Sequence, residues 1–128
     1  MEIKSIRKEP IRIYDFIKEN NMGALIKILD RLGRIDSEFD KKPLIQLLNH
    51  KNERIRSLAV KNLAKLEDIT LLEKFVDIVN NEKSSIVRKE AVFAIGRMRN
   101  PINKQILINY LNRLSKSIIF QIENSFYL

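Results

Sequence analysis

Apolar residues recur at i, i+3, i+4 and i+7 along most of this chain and nowhere settle into alternation with polar ones. That period predicts amphipathic helices, and the polar interruptions between them predict short turns. Breaks fall at Glu19-Asn20-Asn21, Ile35-Asp36-Ser37, Asn49 to Glu53, Glu67 to Thr70, Asn80 to Ser85 and Asn100-Pro101. Ser37, Thr70 and Ser84 or Ser85 are the expected N-caps, because a short hydroxyl side chain can accept from an otherwise orphaned helix N–H. Pro43 falls in the first turn of its helix, where a missing N–H costs nothing.

The helices repeat. Leu44–Leu66 (LIQLLNHKNERIRSLAVKNLAKL) aligns with Phe75–Met98 (FVDIVNNEKSSIVRKEAVFAIGRM) at a spacing of 31 to 32 residues. Leu44, Ile45, Leu47 and Leu48 fall on Phe75, Val76, Ile78 and Val79. After one extra loop residue, Ile55-Arg56 falls on Val87-Arg88, Ala59-Val60 on Ala91-Val92, Leu63 on Ile95 and Leu66 on Met98. Each unit reads as an apolar helix, an Asn-rich turn and a second helix with a small residue at its middle. Ala59 and Ala91 are small where the two helices of a hairpin must approach closely.

This pattern resembles HEAT repeats, most closely the short prokaryotic variety also found in phycobilin lyases. The resemblance is strongest over Leu44–Met98 and extends more weakly to both ends. It implies an all-α fold, a right-handed α-α superhelix of the HEAT/ARM-like solenoid type with three to four helical hairpins. It divides a single domain, residues 1–128, into a degenerate N-terminal repeat (11–33), two repeats (40–70 and 71–100) and an incomplete C-terminal repeat (102–128). In the family, an arginine at the place of Arg56 and Arg88 bonds within the turn, so both are expected to be structural.

The end repeats depart from the pattern. Ile11–Ile17 and Met22–Leu32 are expected as the helices of the first, where a shift of 34 sets Leu25 on Ala59. In the last, Phe120 stands in the place of Arg88 and Glu123 in that of Ala91. The sequence closes on Phe126-Tyr127-Leu128 with no polar cap for the final apolar face. Either another segment packs there or the chain belongs to a longer array, and the second is the expectation.

Charge adds a functional hint. The formal net charge is +8, and residues 1–40 are balanced at eight basic against eight acidic, so the whole surplus lies in 41–128. A one-sided surplus points to an anionic partner, nucleic acid first. A bias toward Ile, Lys and Asn (20, 14 and 12 residues) accounts for the same surplus without any function. On the second helices, basic residues recur at i and i+4 on the face away from the apolar stripe: Lys27 and Arg31, then Lys61 and Lys65. Lys89, Phe93 and Arg97 occupy that face of the next. In HEAT proteins second helices line the concave surface, so the resemblance implies a basic row able to track phosphates, with Phe93 stacking on a base or sugar. The competing reading is an ordinary solvated face with Phe93 partly buried. Arg54, Arg99 and Lys104, near turns, could extend the row.

Catalytic chemistry is not encoded in any recognisable form. Cys and Trp are absent, His50 is the one histidine and sits in a turn, and Gly23, Gly33 and Gly96 are isolated, which excludes a phosphate-cradling loop. Glu19 and Glu38 are not placed together by any spacing, and most carboxylates have a Lys or Arg three or four positions away, as surface ion pairs do. No cofactor, metal or small-molecule substrate is therefore expected. The N-terminus lacks a signal-peptide pattern, and no apolar run reaches the ~18–20 residues of a membrane span, so a cytoplasmic, non-membrane protein is expected. IRKEPIRIYDFIKENN together with LIKILDRLGRIDSEFDKKPLIQLLNH is also similar to HEAT segments that precede prokaryotic DNA methyltransferase domains, although no methyltransferase motif is present. The function expected is a non-catalytic binding module engaging nucleic acid or a DNA-modification partner through a basic concave face. The alternative is a protein–protein interaction scaffold.

Overall fold

The computed structural model describes residues 12–126, with the side chains of residues 121, 123, 125 and 126 excepted. Among the described residues every regular element is helical. The order is α1 (12–18), α2 (Met22–Asp30), α3 (Lys42–Leu47), α4 (Glu53–Ala64), a 3₁₀ turn (Ile69–Leu71), α5 (Leu72–Asn81), α6 (Ser85–Gly96), α7 (Lys104–Leu111) and α8 (Lys116–Phe126). They divide into two compact units, one ending at Leu66 and the other beginning at Glu67. The expectations for Ile11 and for Phe126-Tyr127-Leu128 as an uncapped end fall outside the described residues.

In the first unit α4 packs against both α2 and α3. Of the positions the repeat aligns, Leu25, Leu29, Leu32, Leu44, Leu47, Ile55, Ala59, Val60 and Leu63 are buried in its core together with Leu58, while Ile45, Leu48 and Leu66 are only half-buried. Ala59 is fully buried, as a close helix crossing requires. Asn21 and Asn52 cap α2 and α4, their side-chain oxygens accepting from the N–H of Ala24 (3.1 Å) and Ile55 (3.1 Å). Pro43 lies in the first turn of α3. Ser37 does not cap α3, which begins five residues later. The carboxylates of Asp36 and Asp40 instead accept from the N–H of Glu38 (2.9 Å) and Lys42 (3.1 Å). α2 stops at Asp30, short of Leu32, because the chain turns through a left-handed residue, Gly33, at φ 68°.

One buried polar side chain ties α4 to α2. Asn62 is 1% exposed and satisfies all of its hydrogen-bonding groups. Its amide donates to the carbonyls of Leu29 (2.9 Å) and Leu58 (2.9 Å), and its oxygen accepts from Lys65 Nζ (2.8 Å). The Leu29 carbonyl lies in the last turn of α2, where no helical donor remains.

In the second unit α6 packs against α5 and α8, and the 3₁₀ turn packs on α5. Phe75, Val76 and Val79 meet Val87, Ala91, Ala94 and Ile95 in the core, with Met98, Leu107 and Ile122 beside them. Ser84 is the cap of α6, accepting from Val87 N–H at 3.4 Å. Thr70 is not a cap: its N–H (3.0 Å) and hydroxyl (2.6 Å) both donate to Asp68, the carboxylate that closes this turn. Among the described side chains of α8, Ile122 is buried and Phe120 is exposed.

The two arginines expected to be structural make the same contact in each unit. Arg56 Nη1 donates to the carbonyls of His50 (2.8 Å) and Lys51 (3.0 Å). Arg88 Nη1 donates to those of Glu82 (2.7 Å) and Lys83 (2.8 Å). Each guanidinium reaches back six and five residues across the hairpin turn and satisfies two carbonyls there.

Two expectations follow for stability. Arg88→Met removes two charge-assisted hydrogen bonds and lowers the unfolding free energy by about 1–3 kcal/mol in urea titrations, while Arg88→Lys, a single point charge, loses part of that. Asn62→Ala strands the Leu29 carbonyl and costs about 1–3 kcal/mol by the same measurement. An unchanged midpoint would show that solvent replaces the bond.

Candidate functional site

The seven residues singled out on the second helices do not share one fate. Lys27 on α2, Arg31 just past its end and Lys61 on α4 are exposed. Lys65, one turn beyond Lys61, is half-buried and folds back onto the preceding hairpin. Its ammonium donates to the Gly33 carbonyl at 2.6 Å and to Asn62 Oδ1 at 2.8 Å. In the second unit Lys89 is exposed and Phe93 is 43% exposed. Arg97 lies 3.8 Å from the carboxylate of Glu67, with about half of its side chain still in solvent.

Lys65 and Arg97 stand at corresponding places in the two units. Under the shift of 34 that relates the repeats, Gly33 corresponds to Glu67, and both have left-handed backbone, at φ 68° and 47°. Glu67 also accepts from Asn100 Nδ2 (3.2 Å) through its carboxylate and from Asn103 Nδ2 (3.1 Å) through its carbonyl. Lys65 thus steadies the left-handed turn at Gly33, whereas the Arg97–Glu67 pair, long and half in solvent, contributes little and leaves the Arg97 charge exposed.

The residues considered as extensions behave differently from one another. Arg54 pairs with Asp30 at 3.6 Å, with both side chains more than half exposed, so the pair contributes little. Arg99 Nε donates to the Gly96 carbonyl at 3.1 Å. Arg99 and Lys104 border a cavity floored by Leu107, Ile108 and Leu111.

Other surface features depend on assembly. In the first unit a groove of about 310 Å³ runs between α1 and α2, lined by Arg12, Phe16, Ala24, Lys27, Ile28, Arg31 and Leu32. It brings two of the expected cations together and adds Arg12 from the first helix. Helical spacing groups Ala24, Lys27, Ile28 and Arg31 on one face, but nothing in the sequence sets Arg12 and Phe16 opposite them. In the second unit Ile86 (55% exposed) and Phe93 lie seven residues apart on one face of α6, with Lys89 between them. Ile102, Ile106, Ile108 and Phe120 are also exposed.

Among the described residues no group of His, Asp or Glu is arranged to hold a metal ion, and no helix is long and apolar enough to cross a membrane. His50 has a structural setting. Its Nδ1 accepts from the N–H of Asn52 (3.0 Å), the cap of α4, while its carbonyl accepts from Arg56.

Helix pairs joined by short turns, with one arginine contact repeated on two successive turns, define a helical-repeat protein. The family is HEAT repeats: its model matches residues 23–96 and again 42–119, well over half of the chain, and this chain belongs to it. No curated protein and no solved structure matches. HEAT repeats as a family are typically non-catalytic and mediate protein–protein contacts.

Burial lowers the pKa of His50, and the charges of Lys51 and Arg56 lower it further. The unfolded chain takes up this proton near pH 6.5, the folded chain only at lower pH. Acid therefore favours the unfolded state. The His50 contribution is complete above pH 6.5 and declines as the pH falls from there toward the lowered folded value. Melting temperatures compared above and below that point should show the decline in the wild type and a flatter profile in His50→Gln.

Proposed function

We propose that this chain is a non-catalytic module that binds another protein, using the exposed face of its second helices. The observation that carries this reading is on α6, where Ile86 and Phe93 stand in solvent on either side of Lys89. Large apolar side chains flanking a cation are what a protein interface buries; a phosphate backbone has little use for them. The engagement of Lys65 by the Gly33 carbonyl takes one cation out of the basic row of the first unit. The lack of cysteine fits a reducing, cytoplasmic setting.

A second reading, engagement of nucleic acid or a DNA-modification partner, draws on Lys27, Arg31 and Lys61, which remain exposed in the first unit. It also draws on the likeness of the N-terminal half to segments ahead of DNA methyltransferases. The two readings differ in their response to salt, because phosphate contacts release counterions and lose affinity steeply as salt rises.

Affinity capture after nuclease treatment separates them. A protein partner is expected to survive the nuclease and to be lost on Phe93→Ser with the fold intact by circular dichroism. Capture that disappears with the nuclease, alongside DNA binding that falls with salt and with Lys61→Glu, would transfer the assignment to nucleic acid.

A further inference from the structure

We propose that the groove between α1 and α2 receives an acidic amphipathic helix from a protein partner. The inference rests on the protein-binding reading and names a second, chemically distinct contact for it. The walls set the chemistry. Phe16, Ala24, Ile28 and Leu32 form an apolar floor, Arg12, Lys27 and Arg31 stand around it, and no carboxylate among the described residues lines it. The occupant must bring apolar side chains for the floor and negative charge for the rim. Its volume, about 310 Å³, accommodates a few side chains and falls at the lower end of ligand clefts.

Helical spacing gives the groove its form. Ala24, Lys27, Ile28 and Arg31 recur at i, i+3, i+4 and i+7, so apolar and basic positions share one stripe along α2. The neighbouring stripe, Leu25 and Leu29, is buried in the unit, where α2 packs on α4. α2 thus presents two adjacent apolar surfaces, one spent on the fold and one lining the groove. A helix laid in the groove would bury Ile28 and Phe16 through residues at the same i, i+3, i+4 and i+7 spacing. Glutamates on its flanks would meet Lys27 and Arg31. Electrostatic complementarity of this kind selects the partner and speeds its approach more than it adds affinity. Nucleic acid matches the rim but leaves the floor without an apolar counterpart. Residues 1–11 of this chain match the floor only in part and carry Lys4, Arg7 and Lys8 against Glu2 and Glu9, so they add positive charge where negative is needed.

The test uses the full chain and a fluorescein-labelled synthetic helix with Leu at i, i+3, i+4 and i+7 and Glu on the flanking positions, followed by anisotropy. Two relatives of the peptide carry Gln for Glu or Ser for Leu. The expected result is binding of the Glu/Leu peptide and a loss of about tenfold or more for each relative, about 1.4 kcal/mol. Lys27→Glu with Arg31→Glu should weaken binding similarly, and Lys27→Gln with Arg31→Gln, a milder change at exposed positions, should do so in part. Phe93→Ser should leave it unaltered. Equal binding of the Gln peptide, indifference to both double variants, displacement by oligo-dT, or no binding at all would overturn the inference. In each of those outcomes, a captured protein still lost on Phe93→Ser would leave the protein-binding reading standing. Capture insensitive to Phe93→Ser, with peptide binding intact, would do the reverse.

Discussion

A turn between two helices must place backbone carbonyls where no helical N–H can reach them, and a hairpin repeat multiplies the problem by its number of turns. In this chain one guanidinium answers it in each of the two best-formed repeats. Arg56 takes the carbonyls of His50 and Lys51, and Arg88 those of Glu82 and Lys83, with the same backward reach of six and five residues. Because the arginine springs from the second helix, the contact fixes the turn and its following helix as one piece. The caps at Asn52 and Ser84 then orient the first helical turn, and the small residues Ala59 and Ala91 come to their buried crossings. A lysine could not serve as well, since its single ammonium lacks the planar fork.

The same economy explains where the positive charge goes. A strongly basic helical-repeat protein invites a reading in which each exposed lysine or arginine serves a ligand, yet part of the charge here maintains the backbone. Arg56 and Arg88 hold hairpin turns, and Lys65 steadies the left-handed residue Gly33. What remains on the second helices is uneven. The first unit keeps Lys27, Arg31 and Lys61 in solvent, and the second pairs Lys89 with exposed isoleucine and phenylalanine. The proposed protein-binding role rests on each unit separately, on charge beside an apolar groove in the first and on exposed apolar side chains in the second.

Much of the fold was legible because helical period, turn composition and repetition all point the same way. Misjudged were the details decided by short-range competition. Carboxylates rather than the hydroxyls of Ser37 and Thr70 order these turns: Asp36 accepts from Glu38 N–H, Asp40 from Lys42 N–H and Asp68 from Thr70 itself, a carboxylate being the stronger acceptor. α2 closed two residues early because Gly33 could enter a left-handed conformation at no steric cost. Asn62 left one trace, a polar residue on an otherwise apolar stripe, aligned with Ala94 in the next repeat. Its role required knowing that the Leu29 carbonyl lies within reach.

Resemblance to HEAT repeats implied the structural role of the two turn arginines; by itself, the order of residues determined the helices, the hairpin repeat and most of the core. All of these depend on contacts between positions close in sequence or related by a constant spacing, which is what periodicity records. Tertiary structure alone decided which cations remain for a partner and where an apolar groove opens. Lys61 and Lys65 look alike on a helical face, but a carbonyl 32 residues away claims one and leaves the other in water. Arg12 and Lys27 belong to different helices whose meeting no local pattern encodes. Exposure and pairing are properties of neighbours brought together by folding, and those neighbours are distant along the chain.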